Sequence, residues 1–145
     1  MQRQVLVADD DGLIRKLLCK LFKNEADYEL CAEAKNGEEA IALAKLHKPD
    51  LILLDFSMPV MNGVEAAREL KKIMPNVPII LFTLFPPAQN EMALGEFSVD
   101  RIVPKGEVAH LMTHIRQLAP PFSSSDPIWE LPRRFNRDRK QPPDA

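Results

Sequence analysis

Side chains that could bind a divalent cation and a phosphoryl group follow four short apolar runs of the sequence. The runs are residues 5–8, 51–54, 79–82 and 102–104, and the side chains after them are, in that order, Asp9 with Asp10, Asp55, Thr83 and Lys105. Apolar runs of this length are typical of the buried strands of a parallel sheet. Because ligand sites in open parallel sheets lie beyond the carboxyl ends of the strands, we expect these side chains to meet at one edge. A carboxylate cluster with an ammonium and a hydroxyl suits a magnesium ion and a phosphoryl group.

Taken singly, most of these residues have a structural explanation. Adjacent acids before a helix favour the positive end of its dipole, threonine is common in strands, and a single lysine among many is usually exposed. Asp55 is harder to explain in this way, because a carboxylate at the end of an apolar strand is partly desolvated unless something pairs with it. The functional interpretation therefore depends on the acids, the hydroxyl and the lysine occurring together at the strand ends.

Helical segments separate the strands and would hold these strand ends in place. Apolar residues recur at helical spacing in segments that begin near Leu13, Glu38, Val64, Glu91 and Val108. The pattern in residues 91–94 is the weakest of the five. The second strand places Tyr28, Leu30 and Ala32 on alternate positions, which predicts a strand at or near a sheet edge. Five strand–helix units in succession predict an α/β fold, a helix–sheet–helix sandwich with right-handed crossovers.

The composition is that of a single globular domain. The chain has 145 residues, 46% of them hydrophobic, and a formal net charge of −2, which gives no electrostatic reason to expect binding to nucleic acid or to an anionic membrane. Its two cysteines, Cys19 and Cys31, lie within apolar patterns, which favours reduced, buried thiols over a disulfide or a metal site. The first apolar run is too short for a signal peptide or a membrane span, so we expect a cytoplasmic protein.

The composition changes at Pro120. Residues 120–145 hold six prolines, three serines and mixed charge, which is typical of a linker or a disordered tail. The patch 126–131 holds the only tryptophan, Trp129, and we favour a loose tail or a short turn lying on the domain over a docking motif for a partner. We therefore divide the chain into a domain, 1–119, and a proline-rich tail, 120–145, which either ends a single-domain protein or leads to an output domain of a longer one.

Four segments together identify a family resemblance. Residues 7–10, 53–63, 80–83 and 103–105 resemble the receiver domain of two-component response regulators, which are related to the chemotaxis protein CheY. The stretch from Asp55 to Gly63 is similar to the family's long and specific signature D-x-x-M-P-x-M-[DN]-G. The resemblance covers about residues 3–119. It implies a flavodoxin-like (βα)5 doubly wound sandwich with a parallel five-stranded sheet in the strand order 2-1-3-4-5.

The resemblance also implies a role for each acidic residue. Asp55 would be the phosphoacceptor, which attacks phosphorus and forms an acyl phosphate. Asp10 would bind Mg²⁺ directly, Asp9 would bind it largely through water, and the carbonyl oxygen of Ser57 would be a further ligand beside Asp55. Mg²⁺ keeps several of its waters, so two or three protein groups are enough to hold it.

Lys105 and Thr83 would respond to the phosphoryl group. Lys105 would pair with Asp55 before transfer and with a phosphoryl oxygen afterwards, while Thr83 would donate its hydroxyl to another oxygen. Inward movement of Thr83 would bias the surface formed by the fourth helix, fifth strand and fifth helix. The implied partners are a histidine kinase or phosphotransfer protein and a downstream protein or output domain, with a homodimer through that same surface. No membrane contact and no direct nucleic-acid binding by this segment are expected.

Several positions depart from the family's pattern. Gly106 follows the lysine where most members have proline, and Ile102 precedes it by three residues where many have an aromatic switch residue. Pro86 and Pro87 would stiffen a loop that usually moves, and Phe85, near the mouth of the site, would slow attack by water on the phosphoryl group. These departures motivate an alternative function, a receiver fold that acts as a binding module independently of phosphorylation.

A turnover enzyme has less support. A magnesium phosphatase of the haloacid dehalogenase type needs a second acid two residues after its nucleophile, and Ser57 occupies that position after Asp55. No glycine-rich nucleotide-binding loop is present. We therefore expect a signalling module whose only covalent chemistry is its own magnesium-dependent phosphorylation.

Overall fold

The computed structural model describes residues 1–84, 98–123 and 126. Within these ranges strands and helices alternate along the chain. In order they are β1 (Arg3–Ala8), α1 (Gly12–Lys23), β2 (Tyr28–Ala34), α2 (Gly37–His47), β3 (Leu51–Leu54), α3 (Gly63–Ile73), β4 (Ile79–Thr83), β5 (Arg101–Pro104), a 3₁₀ turn (Lys105–Glu107) and α4 (Val108–Leu118). The predicted fourth helix, near residues 91–94, lies outside the described residues, so α4 corresponds to the predicted fifth helix.

The strands form one parallel sheet with the order β2-β1-β3-β4-β5. This is the order implied by the sequence resemblance, and it places β2 at an edge, as predicted. Every residue of β3 and of β4 is buried, because helices cover both faces of the central strands. The prediction of a helix–sheet–helix sandwich is therefore confirmed.

Alternate residues of the central strands pack into two separate apolar clusters. Val5 and Val7 of β1 lie in a cluster with the buried faces of α1 and α4. Leu6 and Ala8 lie in a second cluster with α2 and α3 on the other side of the sheet. Burial on both faces explains why the strands read as continuous apolar runs in the sequence. Among the described residues, no helix is long and apolar enough to cross a membrane.

Side-chain caps determine where three of the helices begin. Asp11 caps α1, Asn36 caps α2 and Asn62 caps α3, each through a side-chain oxygen that accepts a backbone N–H of the first turn at 2.8–2.9 Å. These caps satisfy N–H groups that have no partner within the helix. The loops at the carboxyl edge of the sheet therefore end at defined positions, which helps to fix the residues between each strand and its helix.

β2 contains a bulge that the sequence pattern does not reveal. Val5 pairs with Leu30 and Leu6 pairs with Ala32, so Cys31 is an extra residue on β2 at that step. As a result Leu30 packs with the α1 cluster, whereas Ala32 packs with the α2 cluster. The alternation of Leu30 and Ala32 in the sequence therefore does not correspond to one face of the strand.

The two cysteines differ from the prediction in their exposure. Cys19 lies in α1 and Cys31 in β2, and neither forms a disulfide, as expected. Both are half-buried, however, and not buried as predicted. Part of the reason is the position of β2, which has a neighbouring strand on one side only.

The residues after α4 are tied to the start of the sheet. The buried Tyr28 hydroxyl donates a hydrogen bond to the Ala119 carbonyl oxygen at 2.7 Å. Arg3 Nε donates to the Pro120 carbonyl oxygen at 2.6 Å, and the Arg3 guanidinium carbon lies 3.8 Å from the centroid of the Phe122 ring. Contacts with the sheet thus continue past residue 119 as far as Phe122.

Removing the Tyr28 hydroxyl should weaken this connection measurably. Burial raises the pKa of the Tyr28 phenol, so the hydroxyl is protonated and a donor at neutral pH. We expect Tyr28→Phe to lower the free energy of unfolding by about 1–2 kcal/mol, because it leaves the Ala119 carbonyl without its donor. Urea denaturation would measure this. Gln2→Ala, which removes an exposed hydrogen bond to the Ala26 carbonyl, is the control and should cost about 0.5 kcal/mol or less. Equal stability of Tyr28→Phe and wild type would contradict the assigned bond.

Candidate functional site

The strand register brings the predicted site residues to one edge of the sheet. Ala8 of β1 pairs with Leu54 of β3, so Asp9 and Asp55 follow paired positions on adjacent strands. The Asp55 N–H donates to the Ala8 carbonyl oxygen at 2.8 Å, and the Asp9 N–H donates to the Ala34 carbonyl oxygen at 3.0 Å. The backbones that carry the two acids are therefore held by bonds that continue the sheet.

Thr83 and Lys105 approach the same edge from the other half of the sheet. Thr83 is the last residue of β4 and pairs with Pro104 of β5, and Lys105 follows directly. Four polar side chains of the site, Asp9, Asp55, Thr83 and Lys105, are buried, although each would be costly to bury alone. The predicted convergence of acids, hydroxyl and lysine is therefore present in the structure.

The Lys105 ammonium compensates both buried carboxylates. Lys105 Nζ lies 2.6 Å from Asp9 Oδ2 and 3.4 Å from Asp55 Oδ2. It is thus closer to Asp9 than to Asp55, whereas the resemblance implied a pair with Asp55. The ammonium is held between the two acids in a largely water-free position, where ion pairing is needed to offset the loss of hydration.

Asp9 is fixed from several directions. Its Oδ1 accepts the Asp11 N–H at 2.9 Å, and its carbonyl oxygen accepts a hydrogen bond from Arg15 Nη1 at 2.7 Å. Arg15 Nε lies 3.6 Å from Glu33 Oε1, which links α1 to β2 behind the site. Asp11 and Arg15 received no role from the sequence, because neither directly follows an apolar run. Their proximity to Asp9 depends on the turn that starts α1.

The acidic side chains are close enough to share a cation. One carboxylate oxygen each from Asp9, Asp10 and Asp55 lies within 4.8 Å of the other two. Asp9 Oδ2 is buried and, in the described part of the chain, accepts no hydrogen bond of good geometry, although the Lys105 ammonium is nearby. Asp10 is exposed. A set of carboxylate oxygens with one buried oxygen of unused acceptor capacity fits the preference of Mg²⁺ for oxygen ligands.

The surroundings of Asp55 favour its neutral form. Burial, and then the negative charge of Asp9, raise the pKa of Asp55 from 3.8 to about 6, while Lys105 acts in the opposite direction. Asp10 adds a smaller repulsion. The ionised form of Asp55, the phosphoacceptor that the resemblance implies, is therefore strained by burial and by the nearby negative charges. A cation in the cluster would relieve that strain.

The remaining predicted residues lie around this cluster or outside the described part of the chain. Ser57 is exposed and lies two residues after Asp55, in the loop before α3. Ile102 is half-buried in β5 and packs against the α2 and α3 cluster. Phe85, which was predicted at the mouth of the site, lies outside the described residues, as do Pro86 and Pro87.

Gly63 supports the site in a way that was not predicted from the sequence. Its N–H donates to the Phe56 carbonyl oxygen at 3.0 Å, and a Cβ at this position would overlap the Asp55 carbonyl oxygen. Val60 lies between these residues with φ = 68°, in a tight turn in which the Met61 N–H donates to the Pro59 carbonyl at 2.7 Å. The signal in the sequence was the glycine at the end of the Asp55–Gly63 signature.

Comparisons with known proteins agree with this geometry. The sequence model of the response regulator receiver domain family matches residues 5–116. The transcriptional regulatory protein PdtaR of Mycobacterium tuberculosis is 37% identical over 140 residues, which make up 95% of this chain and 59% of that protein. The chain thus spans about 59% of the length of that relative. The chemotaxis protein CheY of Thermotoga maritima is 42% identical over 81 residues, 56% of this chain and 67% of CheY.

A solved structure has the same architecture. The response regulator protein TrrA of Thermotoga maritima, in complex with Mg²⁺-BeF, is 32% identical and superposes with a TM-score of 0.72, covering 81% of this chain and 99% of that one. The sheet order, the buried acid–lysine cluster and the matching sequence model lead to one assignment: the chain belongs to the response regulator receiver domain family.

Proposed function

We propose that this chain is the phosphoacceptor of a two-component phosphorelay and that Asp55 is the residue phosphorylated. The single observation that carries the proposal is the arrangement of Asp9, Asp10 and Lys105 around the Asp55 carboxylate. Three acids within 4.8 Å of one another, with a buried ammonium among them, are costly to maintain for structure alone. Such a cluster is useful if it binds a cation and a phosphoryl group.

The proposed reaction is a transfer of one phosphoryl group to the Asp55 carboxylate. A carboxylate oxygen of Asp55 attacks phosphorus, and an acyl phosphate bond forms while the bond from phosphorus to the donor breaks. The donor, a phosphohistidine of a kinase or phosphotransfer protein or a small acyl phosphate, leaves with the bonding electron pair. Asp55 has a pKa of about 6 and is therefore mostly ionised, and able to attack, at pH 7.5.

Asp9, Asp10, Asp55 and the carbonyl of Ser57 would hold Mg²⁺ in this function. When bound, the ion would offset the charge of the carboxylates and of the incoming phosphoryl oxygens. The TrrA structure, which is in complex with Mg²⁺-BeF, supports the assignment by similarity. Because Asp9 is buried and Asp10 exposed, we assign Asp9 to the inner wall of the site and Asp10 to its solvent side.

Lys105 and Thr83 would hold the phosphoryl group after transfer. Lys105 is already within 3.4 Å of Asp55, so a small movement of its ammonium would place it on a phosphoryl oxygen. Thr83, buried at the end of β4, would donate its hydroxyl to another oxygen. Contacts made only in the phosphorylated state would shift the conformation of the surface that includes β5 and α4. That surface would meet the downstream partner, or a second copy of the chain.

The partners follow from the family. We propose a histidine kinase or phosphotransfer protein as donor, and a protein or an attached output domain as the recipient of the signal. The proposed division into a receiver, 1–119, and a proline-rich tail, 120–145, is supported by the match of the family to residues 5–116. Receiver domains act as signalling modules, so the product of the reaction is the modified protein itself.

The alternative is a binding module that is indifferent to phosphorylation. Ile102 supports this alternative, because it fills the position of the family's aromatic switch residue with an aliphatic side chain packed against the apolar core. Partner binding that does not change with phosphorylation, or with loss of Asp55, would favour it. Incorporation of a phosphoryl group would favour the phosphoacceptor function.

Intact-mass analysis after incubation with acetyl phosphate tests the proposal. We expect a gain of one phosphoryl group in the wild type that requires Mg²⁺ and disappears with a chelator, and no gain in Asp55→Asn. Asp11→Asn is the matched control, because it removes a neighbouring acid while asparagine retains the helix cap, and it should be phosphorylated normally. If folded wild type with Mg²⁺ gains no phosphoryl group from acetyl phosphate or from a kinase, the phosphorylation-independent binding module becomes the better supported function.

A further inference from the structure

Asp10 differs from the other two acids of the proposed magnesium site, because its side chain is exposed. Lys105 pairs with the buried carboxylates of Asp9 and Asp55. An aspartate side chain has only two torsion angles, so the backbone at Asp10 decides where its carboxylate oxygens can lie. The ability of Asp10 to act as a Mg²⁺ ligand therefore depends on what holds its backbone.

Hydrogen bonds hold the peptide groups on both sides of Asp10. On its N-terminal side, the Asp9 carbonyl oxygen accepts a hydrogen bond from Arg15 Nη1 at 2.7 Å. On its C-terminal side, the Asp11 N–H donates to Asp9 Oδ1 at 2.9 Å. Because each peptide group is planar, these two bonds fix both of the planes that meet at the Asp10 Cα. They therefore set the direction in which the Asp10 side chain leaves the backbone.

The Asp9 carbonyl lies just beyond β1, where the pairing of the sheet stops. β1 ends at Ala8, whose carbonyl oxygen accepts the Asp55 N–H. One residue later, the Arg15 side chain supplies the donor in place of a neighbouring strand. A charged donor forms a stronger hydrogen bond with a carbonyl oxygen than a neutral donor does. The path of the chain into α1 is therefore controlled by a side chain of α1 itself.

The Arg15 guanidinium is itself held in place. Its Nε lies 3.6 Å from Glu33 Oε1, and the Arg15 side chain is only 17% exposed. A Cβ added at Gly12 would lie 3.4 Å from Arg15 Nη2, so the guanidinium lies beside the first turn of α1. Because a guanidinium carries its N–H donors in one rigid plane, an anchor at one nitrogen orients the others. Glu33 of β2 thus orients the group that holds the Asp9 carbonyl.

The positive charge of Arg15 is unfavourable for a cation site. A guanidinium near the acid cluster repels an approaching Mg²⁺, so charge alone would make Arg15 harmful to Mg²⁺ binding. The hydrogen bond to the Asp9 carbonyl oxygen acts in the other direction, because it orients the peptide group that carries Asp10. Loss of the charge and loss of the orientation therefore change the Mg²⁺ affinity with opposite signs, and a variant of Arg15 can separate them.

We propose that Arg15 is a positioning residue for the magnesium site. It orients the peptide group between Asp9 and Asp10 and thereby holds Asp10 where its carboxylate can bind Mg²⁺. Glu33 orients Arg15 in turn, which makes β2 part of the support of the site. Contacts that hold the ligands of a metal in this way strengthen its binding, because less of the site has to be ordered when the metal arrives. The inference rests on the proposed function, since it takes the acid cluster as the Mg²⁺ site.

Calorimetric titration of the unphosphorylated 145-residue protein with Mg²⁺ tests the proposal. We expect Arg15→Met to weaken Mg²⁺ binding about tenfold, the lower end of the range for residues that orient metal ligands. Arg15→Lys keeps the charge and one reachable donor but lacks the planar group, so it should weaken binding about threefold. Arg116→Met is the matched control, because it removes the same charge and an ion pair with Glu25, in the loop before β2. It should leave the Mg²⁺ affinity unchanged.

The other outcomes of the titration have separate meanings. Tighter Mg²⁺ binding by Arg15→Met would show that Arg15 acts through its charge, and would overturn the proposal. Unchanged affinity in both Arg15 variants would make Arg15 a link between α1 and β2 that only stabilises the fold, and would also overturn it. If Arg15→Met does not fold, Arg15→Lys decides alone, because neither a charge role nor a stability role predicts weaker Mg²⁺ binding by the lysine variant. Wild type that binds no Mg²⁺ would overturn the cation site of the proposed function together with this inference.

Discussion

Replacing Gly63 with alanine is expected to destabilise the protein by about 3 kcal/mol, at the upper end of the range for overpacking a buried position. An added Cβ would overlap the Asp55 carbonyl oxygen, lie 2.9 Å from the Asp55 carbonyl carbon, and lie 3.1 Å from Leu81 Cδ1. Two of these neighbours are backbone atoms at the end of β3, so they cannot move aside without moving Asp55. Alanine's better helix propensity, worth about 1 kcal/mol at most, does not offset this clash.

Gly106→Ala is the control for Gly63→Ala. A Cβ added at Gly106 would have no neighbouring atom within 4 Å, and the φ angle of Gly106 is not in the left-handed region. We expect the free energy of unfolding in urea to change by about 0.5 kcal/mol or less, and toward greater stability. The Gly63→Ala protein that remains folded should also react more slowly with acetyl phosphate. Equal stability of the two variants would show that the loop before α3 can shift without cost.

Asp55→Asn is expected to be more stable than the wild type by about 1–2 kcal/mol at pH 7.5 without Mg²⁺. The pKa of Asp55 is about 6 in the folded protein and 3.8 ordinarily, so ionisation costs more in the folded state than in the unfolded state. The contribution of the neutral Asp55 carboxyl to the free energy of unfolding is fully present below pH 4. It is lost as the pH rises through 6. Asparagine cannot ionise, so it avoids this loss.

Denaturation at two pH values, with and without Mg²⁺, tests this prediction. The advantage of Asp55→Asn should be smaller at pH 5 than at pH 7.5. Mg²⁺ should stabilise the wild type more than the variant, because the variant lacks one of the three carboxylates. Glu69→Gln, a change at an exposed acid on α3, should alter stability little at either pH. An Asp55→Asn protein that is less stable than wild type at pH 7.5 would contradict the charge strain assigned to the site.

The architecture and the convergence of the site were predictable from the sequence, because both follow from where apolar runs stop. The runs before Asp9, Asp55 and Thr83 are buried strands, and the run before Lys105 is a half-buried edge strand. Parallel strands bring their carboxyl ends to one edge. The family resemblance then supplied the strand order and an expected role for each residue. These features depend on patterns of many residues, which single substitutions do not obscure.

Other features depend on local geometry that the sequence pattern does not encode. The closer approach of Lys105 to Asp9 than to Asp55 is set by side-chain conformations within a crowded cluster. The bulge at Cys31 involves one extra residue in a strand whose composition looks regular. The partial exposure of Cys19 results from a groove between α1 and β2, which no pattern in either segment indicates.

The contacts of Arg3 and Tyr28 with residues 119–122 bring the two ends of the folded domain together. Chain segments 117 positions apart in sequence touch, so the point of entry and the point of exit share one corner of the molecule. The two ends of the folded domain are therefore neighbours. The order of strands and helices around the domain defines the fold more than the position of these two ends does. That corner lies at the opposite end of the strands from the acids.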